Sequence, residues 1–135
     1  MANALYDKGR EGFLDGSIDF DTNNIKIMLI DEADDTIDLA LDEDLADRAG
    51  ASRVATSGNL ASKTVTAGVA DAADVTFSAV TGDVSESIDM YQDTGTEATS
   101  RLILNIDTAT GLPVTPNGGD ITVTWDSGSN RIFKL

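Results

Sequence analysis

Residues 85–108 read SESIDMYQDTGTEATSRLILNIDT. Two runs of alternating side chains flank a polar turn. In the first, Ile88, Met90 and Gln92 share one side, and Asp89 and Tyr91 the other. In the second, Leu102, Leu104 and Ile106 share a side, with Ile103 opposite. A period of two belongs to a strand, because successive side chains leave a pleated backbone on opposite faces. The intervening TGTEAT supplies small polar residues that reverse a chain. The stretch predicts two strands, and the pattern continues on both sides of it.

Toward the C-terminus, DITVTWDSGSNRIFKL places Ile121, Val123 and Trp125 on one side and Thr122 and Thr124 on the other. The turn DSGSN then brings back Ile132, Phe133 and Leu135, which predicts a closing hairpin with Trp125 in the core. The preceding TGLPVTPNGG holds both prolines, Pro113 and Pro116. Proline cannot donate to a ladder, so this segment reads as a rigid crossover at a sheet edge. Gly118 and Gly119 supply the torsional freedom that starts the last hairpin.

Toward the N-terminus, Val75, Phe77 and Ala79 share one side of another strand. SRVATSG and LASKTVTAG read as two strands of a hairpin around Gly58-Asn59. IKIMLID, residues 25–31, is nearly continuous in apolar side chains, as a strand covered on both faces would be. Ile18 and Phe20 alternate before a turn at Asn23-Asn24. NALYDKGREGFLDG reads as a short helix, with Leu5, Tyr6, Phe13 and Leu14 near helical spacing and Asn3 as its cap. Gly9 and Gly12 weaken it by about 1 kcal/mol each, so it must dock to persist. LDEDLADRAG predicts a second short helix near 42–49, with Asp42 as cap and Gly50 as stop. The whole is a mainly β chain: one domain over 1–135, an antiparallel β-sandwich of about seven or eight strands, with 1–16 as an N-terminal helical segment.

Composition narrows function. The 135 residues lack cysteine and histidine, removing thiolate chemistry, the commonest zinc ligands and the usual general base near neutral pH. Acidic residues number 24 against nine basic, a net charge of −15. That field repels nucleic acid and anionic membranes, so neither is expected as a direct partner. The Asp-rich runs DGSIDFDTNN, DEADD and DEDLAD do not match the spacing of a calcium loop and read as solvated surface and turn caps. There is no P-loop, no G-x-S-x-G elbow and no S-x-x-K pattern. No catalytic residue, metal ligand or cofactor is predicted, and the protein is not expected to be an enzyme. A hydrolase built on Asp pairs is the weakest alternative. The charged N-terminus leaves no room for a signal peptide core, which predicts synthesis in the cytosol.

Three stretches carry a family resemblance: MANALYDKGREGFLDGSIDFDTNNIKIMLID at 1–31, VADAADVTFSAVTGD at 69–83, and LILNIDTATGLPVTPNGGDITVTWDSGSNRIFKL at 102–135. Together they resemble small virion structural proteins of tailed bacteriophages. The intervening EADDTIDLALDEDLADRAGA is least similar. The resemblance implies a capsid decoration, or cement, protein on the outer surface of the virion, clamping neighbouring subunits of the major capsid protein and meeting copies of itself. Alternatives are a tail or neck component, or a virion-surface module that binds host glycans through Tyr6, Tyr91 or Trp125. The expected partner interface is Leu5, Tyr6, Arg10 and Phe13 near the N-terminus and Arg131, Phe133 and Lys134 near the C-terminus.

Overall fold

The computed structural model describes residues 3–135. Strands take 31% of the described residues and helices 14%, which makes the fold mainly β. The elements are β1 (Ala4–Leu5), α1 (Asp7–Asp15), β2 (Ile25–Ile30), β3 (Arg53–Thr56), β4 (Thr64–Thr66), β5 (Val69–Asp71), β6 (Val75–Phe77), β7 (Ser87–Gln92), β8 (Leu102–Ile106), β9 (Ile121–Val123) and β10 (Phe133–Lys134). They form a five-stranded sheet in the order β1-β8-β7-β2-β3, a three-stranded sheet β10-β5-β4 and a two-stranded sheet β6-β9, with antiparallel pairing throughout.

The five-stranded sheet is apolar on both faces, as the run at 25–31 predicts. One face sends Ile25, Ile27, Leu29, Ile88, Met90 and Leu104 into the main core, where Ala70, Phe77 and Phe133 of the smaller sheets meet them. The other face carries Met28, Ile30, Tyr91 and Leu102, covered by Tyr6, Leu45, Ile37 and Leu39. The acidic segment after β2 is therefore the lid of this second face.

Several expectations change. Leu102 and Leu104 do not share a face. Met90 pairs with Leu104 and Tyr91 with Leu102, so Ile103 is the extra residue of a β-bulge. The bulge turns Leu102 to the second face and leaves Ile103 in the main core beneath α1. The helix starts at Asp7, and Leu5 is in a strand. Asn3 caps nothing on α1: its Oδ1 accepts from the amides of Asp107 and Thr108, tying the N-terminus to the end of β8. The second helix near 42–49 is absent. Two 3-10 turns, Leu45–Asp47 and Gly50–Ser52, stand there instead. The cap is Asp44, which forms a reciprocal capping box with Asp47, and Gly50 begins a turn instead of stopping a helix.

No hairpin forms at Gly58-Asn59, because β3 pairs with β2 and β4 pairs with β5. The tight turn lies one element later, at Ala67 and Gly68, whose φ of 55° and 77° match a two-residue type I′ reversal. Nor do β9 and β10 form the closing hairpin: β9 pairs with β6, and β10 with β5. The proline segment does cross between sheets, from β8 to β9, and Gly118 there has a φ of 85°. Trp125 packs half-buried against the core, with its Nε1 donating to the carbonyl of Ala73.

Candidate functional site

Two features stand out, one on each face of the large sheet. The first is a groove of about 350 Å³ at the end of the main core. Its origin lies in the register of the three-stranded sheet. Phe133 lies opposite Ala70, and Ala70 opposite Val65. Phe133 and Ala70 are buried, whereas Val65 is 51% exposed. The apolar row runs past the point where the core ends. Phe13 of α1, with Ile18 and Phe20 from the loop after it, forms the facing wall. The Phe133 ring sits 5.7 Å from that of Phe13 and 5.7 Å edge-on from that of Phe20, an arrangement aromatic pairs favour. Leu135 at the rim is 60% exposed.

The rim is acidic. Asp19 lines the groove, and Asp21 lies close enough to share a hydrogen bond with it. That shared bond holds Asp19 below the usual carboxylate range and Asp21 above it. Lys63 is near both but donates to the carbonyl of Asn23, and partial burial lowers its pKa.

The interface residues expected from sequence separate here. Phe13 and Phe133 meet at the groove, and Lys134 pairs with Val69 beside it. Leu5 is half-buried in β1 against the core. Tyr6 is fully buried on the other face. Arg10 is spent on Asp7 of its own helix at 3.0 Å. Arg131 is exposed, 3.9 Å from Asp71. Ile18, Phe20 and Val65 were not anticipated. Their signal was present in the alternation of Ile18 and Phe20 and in the lone valine between threonines.

The second feature is a buried polar network. Asp89 of β7 and Asn105 of β8 are opposite each other and fully buried. Asp89 Oδ1 accepts from Tyr6 Oη at 2.6 Å and from Asn105 Nδ2 at 2.9 Å. Arg48, 1% exposed, reaches in from the acidic segment. Its Nε lies 3.0 Å from Asp89 Oδ2, an ion pair without hydrogen-bond alignment. Its Nη1 bonds Asp35 at 3.0 Å, and its Nη2 bonds Asp42. One guanidinium thus ties three carboxylates together. Tyr6, Arg48, Asp89 and Asn105 are buried and Asp35 and Asp42 partly exposed, so the network runs from the sheet to the surface and holds the lid down.

Burial pushes the Asp89 carboxyl up to about 6, against the pull of Tyr6, Asn105 and Arg48. Burial also raises Tyr6, with the charge of Asp89 adding to it. For Arg48, burial works against the charge, but Asp89, Tyr6 and Asp42 outweigh it and hold the group above its ordinary range. A raised carboxyl favours the folded state at low pH. The contribution of Asp89 is full below its ordinary 3.8 and is lost as pH rises through about 6. One pKa unit is about 1.4 kcal/mol, so the loss is at most about 3 kcal/mol. Urea unfolding of wild type and Asp89→Asn at a series of pH values should show their stability difference shrinking by up to that amount from acid to neutral pH. Groups with lowered pKa, such as Asp93 and Glu97, run the other way but are common to both proteins. A difference independent of pH would refute the assignment.

Several of the remaining acidic residues cap turns. Asp15, Asp31, Asp38 and Asp93 each accept from an amide two residues on. Asp31, Asp34 and Asp83 bring their carboxylate oxygens within 4.8 Å of one another, with only Asp31 buried. Among the described residues, no helix is long and apolar enough to cross a membrane. Comparison of the chain with protein-family models and with curated proteins gives no match to either.

Proposed function

We propose that this protein is a non-enzymatic virion component of a tailed bacteriophage, a decoration protein that binds the outer face of the capsid and bridges neighbouring capsid subunits. One observation carries the reading. The stretches that resemble such proteins, 1–31, 69–83 and 102–135, all contribute to the apolar groove: Phe13, Ile18 and Phe20 from the first, Val69 and Ala70 from the second, Phe133 and Leu135 from the third. The least similar stretch goes to the opposite face, where Asp35, Asp42 and Arg48 build the buried network. Most of the open groove thus comes from the stretches that carry the resemblance, with Val65 and Gly68 added from between them.

The physics of the role fits a small rigid β protein. A protein that binds the expanded shell but not its precursor stabilises the expanded state by mass action. Repetition over the lattice multiplies a modest affinity per site. The charge of −15 keeps free copies apart and away from packaged DNA.

Cryo-electron microscopy of the virion should show density for this fold on the outer capsid surface, repeated with the lattice. Particles lacking the protein should lose integrity at lower temperature than complete ones. Density confined to the tail or neck would overturn the reading. Intact heat resistance together with lost host attachment would move it to glycan recognition.

A further inference from the structure

The groove has a second property that bears on its occupant. In the β4–β5 hairpin, the residues flanking the Ala67-Gly68 turn, Thr66 and Val69, form the hydrogen-bonded pair. Val65 opposite Ala70 is then a non-hydrogen-bonded pair, and the amide and carbonyl of Val65 point away from β5. On the far side Ala70 is already taken, its carbonyl accepting from the Ile132 amide at 3.1 Å. β4 is the outer strand of its sheet, and all three of its residues are exposed. The Val65 side chain meanwhile enters the groove. A free backbone edge and an open apolar slot therefore share one residue.

We propose that this edge receives an extended segment of the partner, which adds as a strand beside β4, places one large apolar side chain in the groove and sets a lysine or arginine against Asp19 and Asp21. Strand addition provides affinity through main-chain hydrogen bonds and selectivity through alternate side chains. Alternation puts residues two apart on the same face, so an apolar residue in the groove carries basic neighbours at the second position on either side. Charge decides between occupants. Asp19 lines the groove with Asp21 beside it, and Lys63, the cation nearby, is held by the Asn23 carbonyl, so the carboxylate rim is open to an incoming cation. A second copy of this chain brings another −15 and is disfavoured. The inference deepens the decoration reading and rests on it only for the identity of the partner.

The test uses the full-length protein labelled with nitrogen-15 and the capped peptide Lys-Thr-Leu-Thr-Lys. At millimolar peptide and low salt, amide shifts should cluster at Val65, Gly68, Val69 and Phe133, and the Val65 amide should slow in exchange with water. Val65→Pro removes that amide at a free edge, where proline is tolerated, and should weaken binding by at least about tenfold. Val65→Asp, at the same exposed position, should do the same if the proline variant does not fold. Glu-Thr-Leu-Thr-Glu and Lys-Thr-Ser-Thr-Lys should both fail. Shifts away from the groove, no shifts, or equal response to the glutamate peptide would overturn the proposal. So would concentration-dependent dimerisation that buries Val65, since that would make a second copy the occupant. Depleted phage heads separate the two readings. If wild type and both Val65 variants coat them equally, the strand-addition site is wrong while decoration stands. If wild type binds the lysine peptide but does not coat heads, decoration falls while the groove assignment stands.

Discussion

Replacing Arg48 with methionine should lower the free energy of unfolding by about 3–5 kcal/mol, the usual cost of orphaning a buried charge. Arg48 is the cation of a site holding Asp89, Asp35 and Asp42, so its loss leaves three carboxylates facing one another, one fully buried. Methionine fills much of the same volume, so the loss reports charge, not a cavity. Domains of this size are stable by only about 5–15 kcal/mol, so the variant should be marginal. Urea unfolding followed by fluorescence measures it. Hydrogen exchange should show the 3-10 turns at 45–52 opening first, because Arg48 pins them to the sheet. Adding Asp89→Asn to the variant should recover part of the loss, since the orphaned charge is then gone. A loss below about 1 kcal/mol would mean that the network does not hold the lid, because exposed ion pairs are worth no more than that.

Gly9→Ala should destabilise by about 1–3 kcal/mol, the range for overpacking a core. Helix propensity alone predicts the opposite sign, a gain of about 1 kcal/mol. The structure decides between them. A Cβ on Gly9 would meet the Leu102 carbonyl oxygen at 2.7 Å and the Ile103 Cα at 2.9 Å. Both are backbone atoms of β8, held by pairing to β1 and β7, and cannot move aside. Gly12 provides the control. Its Cβ would meet the Ile18 side chain at 2.5 Å, a group that can rotate. Gly12→Ala should therefore cost less than Gly9→Ala in the same unfolding measurement. Stabilisation by Gly9→Ala would show that α1 does not dock on the bulge of β8.

The glycines illustrate what was legible. Their presence in a short helix is plain in the sequence and reads there as a weakness; the bulge that needs Gly9 is made by residues far along the chain. The acidic content is a more readable case. Asp residues two positions before an amide in turns act locally, and the reading of the Asp-rich runs as turn caps holds for Asp15, Asp31 and Asp44, while Asp35 and Asp42 of the same runs bind Arg48 instead. The hairpin misassigned to Gly58-Asn59 fails for the opposite reason. The local signal is good, but β3 finds a better partner in β2, where Met28 and Leu29 are buried. Asp89 and Asn105 also had a signal, as polar residues in the middle of apolar strands. Only their pairing across β7 and β8 shows that the two signals are one site.

What this sequence determined unaided is whatever acts over a few residues: the period of two in β7, the apolar run of β2, the turn chemistry of aspartate and glycine, the short helix, and the net charge. The tertiary structure alone decided which strands pair, which face the bulged residues take, where Arg48 goes and where the apolar core is left open. The reason is range. Alternation and capping are settled by bonds within one or two turns of backbone, whereas a register shift of one residue, fixed by distant partners, exchanges the two faces of a strand.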